Sequence, residues 1–251
     1  MHILVSNDDG IHAPGLHALA QAVLPLGQVT VIAPLENQSA TGHKRTFHQP
    51  LRILPQPHFL DGVTAYAVTG SPADCTAVAV LGFLEQKVDL VVSGVNRGPN
   101  AAQDVTYSGT VAVTLEAAIF GLPALAFSLD NRASDADYSH CIPIARHLTE
   151  VVLREGLPTH TILNVNIPAS TPKGIKITRQ GLREYRDTLI RRQDPYGQPY
   201  FWVGGQEPIG DVEAVDTDLW ALHHGYVSVT PIHLDMTAHH VLNTLQSWRL
   251  A

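Results

Sequence analysis

Cysteine is scarce: Cys75 and Cys141 are the only two in a chain of 251 residues, and they stand far apart. That argues against a secreted disulfide framework and for a reducing cytoplasm. Long apolar runs are missing too, so no membrane span is expected. Met1 leads straight into a strand-like stretch, with no basic leader and no small-residue cleavage site, so no signal peptide is expected. Positive charge is in deficit, with 16 Lys and Arg against 23 Asp and Glu and a formal net charge of −7. General nucleic-acid and membrane-surface binders need basic patches, so neither partner is expected. A chain this acidic that handles an anion must gather positive charge locally. The 14 histidines are scattered and form no His-Glu-x-x-His zinc motif. No Gly-x-Gly-x-x-Gly follows the first strand-like run, which argues against a dinucleotide oxidoreductase. There is no internal repeat and no low-complexity tract.

What is present reads as an ordinary globular chain, 45% hydrophobic and 16% charged. The length suits one large α/β domain spanning 1–251. Its organising stretch is Ile3-Leu4-Val5-Ser6-Asn7-Asp8-Asp9-Gly10. A short apolar run there stops at two adjacent carboxylates and a glycine. In an open α/β sheet, ligands sit at the carboxyl ends of the strands. Neighbouring acids repel unless a cation lies between them. Hard oxygen donors suit Mg²⁺, Mn²⁺ or Ca²⁺. The competing reading is a plain turn, since Asn-Asp-Asp-Gly is also good turn chemistry, and these residues alone lean towards it.

Helical spacing over Leu16–Leu24, followed by the strand-like Gln28–Pro34, makes a β-α-β unit with parallel strands. The polar loop from Leu35 to Thr46 leaves that second strand beside the first strand's acids; it is either a linker or a binding loop. Residues Pro50–Asp61 read as irregular or edge structure, and Val63–Val68 as a short strand. A helix through Leu81 follows, with Ser71 as N-cap, Pro72 in its first turn and Asp74 near its positive end. Val88–Gly94 is a central strand, running into a loop over Val95–Asn100. Ser108-Gly109-Thr110 opens a helix over Val111–Phe120. Its free N–H groups make either an anion cradle or an ordinary Ser/Thr cap. Strands are expected at Ala124–Ser128, Thr161–Ile167, Gly174–Thr178 and Gly225–Pro231, and helices at Tyr138–Arg154 and Thr237–Leu250. From about 181 to 218, arginine, tyrosine and glycine replace the apolar blocks. That segment reads as a protruding hairpin arm used in oligomer contacts.

Asp8 and Asp9, the Ser39 hydroxyl and the Asn96 amide oxygen are thus expected to converge at one sheet edge. They form an all-oxygen set suited to Mg²⁺ or Mn²⁺ rather than zinc. A cation beside the Ser108-Gly109-Thr110 cradle is what phosphoester hydrolysis needs. Two other acidic-pair readings fit less well. A receiver domain needs an aspartate where the central strand ends in Ser93-Gly94. A haloacid-dehalogenase-type phosphatase needs a spacer between its two aspartates. A binding protein without catalysis stays open.

The motifs Ser6-Asn7-Asp8-Asp9-Gly10-Ile11, Asn37-Gln38-Ser39, Gly70-Ser71-Pro72-Ala73-Asp74-Cys75, Ser93–Asn100 and Asp104–Thr110 follow one another in an order that resembles the survival protein E (SurE) family. So do the late Thr217-Asp218 and Gly225–Pro231. The resemblance implies a metal-dependent nucleotidase with a Rossmann-like three-layer core, a mostly parallel sheet and a C-terminal helix. It implies release of phosphate from nucleoside 5′-monophosphates, with 3′-nucleotides and short polyphosphate as further substrates. It also implies one divalent cation per subunit held by Asp8, Asp9, Ser39 and Asn96, with Asp8 and Asp9 catalytic. Phosphate contacts are expected from Asn7, Ser108, Gly109 and Thr110, and assembly as a homodimer or homotetramer through the C-terminal part. Ala101-Ala102-Gln103 and Ala117 depart from the family's usual glycines, beside the ligand set rather than in it.

Overall fold

The fold is described from a computed structural model covering residues 1–248. Its centre is a nine-stranded sheet. In chain order the strands and helices are β1 (His2–Ser6), α1 (Pro14–Val23), β2 (Gln28–Pro34), β3 (Ile53–Pro55), β4 (Thr64–Val68), α2 (Pro72–Val78), β5 (Leu90–Arg97), α3 (Gly109–Ile119), β6 (Ala124–Asp130), α4 (Cys141–Glu155), β7 (Thr161–Pro168), β8 (Ile175–Ile177), β9 (Arg183–Gln193), β10 (Pro199–Gly210), α5 (Asp218–His223), β11 (Val227–His233) and α6 (Leu242–Gln246). Across the sheet the order is β3-β4-β2-β1-β5-β6-β7-β11-β8. The six strands from β4 to β7 are mutually parallel. β3 runs antiparallel to β4 and β11 antiparallel to β7, while β8 at the edge is parallel to β11.

Strand alternation divides the core into two layers. Ile3, Val5, Val29 and Val31 face one side, where α1 and α4 contribute Leu16, Leu19, Ala145 and Val152. Leu4, Ile32 and Val91 face the other, against Val111, Val113 and Ala117 of α3 and Cys75 of α2. Burial on both faces is why these strands read as continuous apolar runs. Full burial of one such Leu or Val contributes roughly 1.5–3 kcal/mol. Successive strands add on opposite sides of β1: β2 and β4 to the left, β5, β6 and β7 to the right. The sheet's switch point therefore lies between β1 and β5. A crevice opens there at the carboxyl ends of the strands.

Several boundaries differ from the sequence expectation. β5 extends through Asn96 and Arg97 rather than ending at Gly94. An irregularity in the pairing with β6 between Ser93 and Asn96 carries the ladder onward, so Asn96 pairs with Ser128. α2 stops at Val78 and passes into a wider turn over Ala79–Phe83, which Gly82 leaves with φ 119°. α5, capped by Thr217, was read only as part of a late motif. The arm is a two-stranded antiparallel sheet of β9 and β10. In the tail, α6 is preceded by one 3₁₀ turn over His239–Val241; the part of the expected helix at 249–250 lies outside the described residues.

One close approach fixes how α1 enters the site. A Cβ on Gly15 would stand 1.9 Å from the carbonyl oxygen of Val95 in β5. Neither backbone can yield cheaply. Gly15→Ala is therefore expected to destabilise the fold by about 2–3 kcal/mol, the upper end for overpacking. Urea denaturation checks this; a midpoint unchanged from the parent protein would contradict the packing.

Candidate metal and phosphate site

The turn after β1 is built by Asn7. Its side-chain amide donates to the Gly10 carbonyl at 3.0 Å, and its Oδ1 accepts the Gly10 N–H at 3.2 Å. Asn7 is thereby committed to the turn, and its side chain reaches no cavity wall. The turn expected from the sequence is real, and it presents both carboxylates. Asp8 is almost fully buried, with its Oδ1 accepting a hydroxyl hydrogen bond from Thr110 in α3. Burial pushes its carboxyl up to about 6; the Thr110 hydroxyl opposes this, and the neighbouring Asp9 adds to it. Asp9 is raised as well, again chiefly by burial, against the pull of the Arg97 amide and charge. Its Oδ2 accepts the Arg97 N–H at 3.2 Å, and its Oδ1 accepts from the Asn37 amide at 3.4 Å.

The expected partners arrive from two other loops. Ser39 is held by Asn37, whose Oδ1 accepts both the Ser39 N–H and its hydroxyl at 2.8 and 2.7 Å. Asn96 donates its amide nitrogen to the Gly98 carbonyl at 2.8 Å. That bond leaves its Oδ1 as the free end. Asp8, Ser39 and Asn96 line one cavity of about 300 Å³, together with Ser108 and Tyr107. Asp9 lines the adjoining cavity, of about 140 Å³, with Asn37 and Tyr138. Arg97 borders both. The two carboxylates therefore border neighbouring cavities that share Arg97. Among the described residues no group of three His, Cys, Asp or Glu is placed to hold a metal. A site here must draw on neutral oxygens. The donor chemistry fits a hard cation: two crowded, burial-raised carboxylates, one free amide oxygen and one hydroxyl.

The start of α3 behaves as a cap and as a wall. Ser108 accepts the Val111 N–H at 3.1 Å and also lines the larger cavity. Gly109 lets the helix press on the turn, since a Cβ there would stand 2.6 Å from that of Asp8. Thr110 is fully buried and turns its hydroxyl to Asp8, not to the cavity. Of the four residues expected around a phosphate, Ser108 alone is among the cavity's lining.

The polar loop after β2 carries two adjacent cations, Lys44 and Arg45. The structure takes Arg45 to two buried acids. Its Nε bonds Asp74 Oδ1 at 3.1 Å, and its Nη1 bonds Glu116 Oε1. His43 meets the other Glu116 oxygen at 2.7 Å. Asp74 also closes the capping box of α2 with Ser71 and accepts the Thr46 N–H at 3.0 Å. This latch pins the loop that carries Ser39 across α2 and α3. Gln38 N–H to Asp8 carbonyl at 2.8 Å and Gly42 N–H to Tyr107 carbonyl at 3.0 Å complete the seam. Glu116 inside an apolar helix was the overlooked signal: a charged residue at a buried position must have a partner.

Arg132, Arg183 and Pro208 also line the larger cavity and were missed. Arg183 and Pro208 belong to the arm. Arg183 pairs with Asp104, which also accepts the Tyr185 hydroxyl at 2.5 Å.

Removing Arg45 leaves two buried carboxylates without their cation. Arg45→Met is expected to cost about 3 kcal/mol, the lower end for breaking a buried pair. Burial pushes the Asp74 carboxyl up, but hydrogen bonds from Thr46 and Ser71 outweigh it and hold the group below its ordinary value. A depressed acid contributes stability above its unfolded value near 4 and loses it as pH falls through the folded one. Asp74→Asn is therefore expected to be clearly destabilising at pH 7, with a deficit that shrinks below about pH 4. Thermal melts at the two pH values measure this, and a deficit that does not depend on pH would contradict it.

Comparison with known proteins agrees with the motif order. The family described as Survival protein SurE matches residues 3–187. The chain is 46% identical over 252 residues to 5′-nucleotidase SurE of Syntrophotalea carbinolica, covering all of this chain and 98% of that protein. It is 47% identical over 246 residues to 5′-nucleotidase SurE 1 of Thermus thermophilus, covering 98% of this chain and 96% of that one. The crystal structure of the SurE protein from Aquifex aeolicus superposes with a TM-score of 0.84 at 41% identity, covering 98% of each chain. An acidic turn at the switch point, the loops that frame it, the sheet order and full-length similarity all lead to one assignment: the chain belongs to the SurE family.

Proposed function

We propose that the chain is a 5′-nucleotidase, hydrolysing nucleoside 5′-monophosphates to nucleoside and phosphate with one divalent cation per subunit. The observation that carries this reading is the adjacent pair at the switch point, Asp8 buried and Asp9 partly buried, both carboxyls raised by burial, beside the free amide oxygen of Asn96. Three curated relatives of similar length carry the name 5′-nucleotidase SurE and support the substrate class. Mg²⁺ or Mn²⁺ fits the oxygen donors, which would be Asp8, Asp9, Ser39 and Asn96. When bound, such an ion supplies charge that polarises a phosphoryl oxygen and lowers the pKa of a nearby water.

The chain's own groups supply the rest. Ser108 and the first amides of α3 hold the phosphate at a positive helix end. Thr110 keeps the Asp8 carboxylate aimed, and Asn7 keeps the turn that carries it. Asn37 and the Arg97 amide orient Asp9. A paired carboxylate takes the proton of the attacking water, in line with the leaving ribose oxygen. No covalent phosphoenzyme is needed. The same cradle can take 3′-nucleotides and short polyphosphate, whose terminal phosphate presents the same oxygens. The exposed Tyr196, Tyr200, Phe201 and Trp202 of the arm support assembly as a homodimer or homotetramer. No helix among the described residues is long and apolar enough to cross a membrane. A cytoplasmic enzyme is the reading that the two free, buried cysteines support.

A phosphate-release screen over nucleotides and polyphosphate, with EDTA and then each divalent ion added back, tests the proposal. Phosphate release is expected from nucleoside 5′-monophosphates, abolished by EDTA and restored by Mg²⁺ or Mn²⁺. Asp9→Asn is expected to keep the fold and lose at least a hundredfold in kcat. Retained metal-dependent hydrolysis in that variant would count against the site.

A further inference from the structure

The larger cavity does not end at the phosphate cradle. Pro99, Arg132, Arg183 and Pro208 line it on the side away from β1, and the same four residues line a second, roomier cavity of about 630 Å³. The two spaces are continuous across the arginines. Each has the size of a small-ligand site, roughly 300–1,000 Å³. Beyond the arginines the wall changes character. Pro208, Val212 and Leu219 offer apolar surface, and Asp130 at the end of β6 adds one carboxylate.

The two arginines are not equivalent. Arg183 is committed to Asp104. Arg132 makes no ion pair among the described residues, and its side chain lies flat across Gly98. A planar guanidinium at the junction of an anion site and an apolar recess suits a phosphate with an aromatic ring attached. It can face the phosphate's charge or stack on the ring, whereas a lysine offers only a point charge. Apolar walls with a few polar groups are what nucleobase-sized ligands require.

We propose that this second cavity, between the end of β6 and the root of the arm, is the nucleoside subsite, with Arg132 at its entrance and Asp130 accepting from the sugar or base. The proposal rests on the phosphomonoesterase reading and adds that the arm root forms one wall of the substrate site. Arg132 and Val212 are then specificity residues.

The test compares 5′-AMP with p-nitrophenyl phosphate, an ester that has no nucleoside. Arg132→Ala removes the guanidinium, and Val212→Trp fills the recess. In each, the ratio of kcat/KM for 5′-AMP to that for p-nitrophenyl phosphate is expected to fall at least tenfold, through a raised KM for the nucleotide. Calorimetry with adenosine reads the same recess without hydrolysis, and Val212→Trp is expected to weaken that binding at least tenfold. A smaller change in the ratio for both variants, or adenosine binding that survives Val212→Trp, overturns the subsite. If the unmodified protein releases phosphate from neither ester, the phosphomonoesterase reading fails, while adenosine binding still decides the recess.

Discussion

The rest of the structure depends on an electrostatic constraint: two adjacent carboxylates at the end of β1, Asp8 buried and Asp9 partly so. Dipoles surround Asp8, and Asp9 also feels the charge of Arg97. The Thr110 hydroxyl, the Asn37 amide and the Arg97 N–H each relieve part of the cost. They do not cancel it, since both carboxyls stay above their ordinary value through burial. Hydrogen bonds of this kind orient a carboxylate without neutralising it. A hard cation would complete the balance, and Asn96 and Ser39 line the same cavity as Asp8.

Holding loops over such an edge costs backbone entropy of about 1–2 kcal/mol for every residue fixed. The segment from Leu35 to Gln49 has no helix or strand to offset that cost. Its order comes from Arg45 between two buried acids, from His43 on Glu116, and from backbone bonds to the acidic turn itself. The latch thus lies outside the cavity lining, yet it holds the loop that carries Ser39. At the other end, Asp104 ties the arm to the turn that precedes α3. α3 and the turn before it are therefore fastened to two peripheral segments, one from early in the chain and one from late.

Much of the core was legible because its strands are buried on both faces. Val29-Thr30-Val31-Ile32-Ala33 and Leu90-Val91-Val92 can hardly be read otherwise. The Ser71 cap of α2 was legible for a different reason, since local chemistry decides it. Asn96 and Arg97 were misassigned to a loop because strand membership there comes from pairing with β6 past an irregularity, not from apolar content. The residues Asp8, Asp9, Ser39 and Asn96 could be named in advance, but not that Asp9 faces a separate cavity; the pitch of a turn decides that. Thr110 was assigned to phosphate because a hydroxyl at a helix start suits that role equally well. Its hydrogen bond to Asp8 shows where it points. Arg132 and Arg183 carry no local pattern at all. Their shared cavity comes from folding the arm back against the end of β6.

The central claim is that one hard ion binds among Asp8, Asp9, Ser39 and Asn96. Anomalous diffraction from crystals of the protein soaked in Mn²⁺ tests it most directly. The account predicts a single strong peak per chain within coordination distance of oxygens from those residues, displaced by excess Mg²⁺. A peak elsewhere in the chain, or none in crystals whose protein still releases phosphate on addition of Mn²⁺, would contradict it.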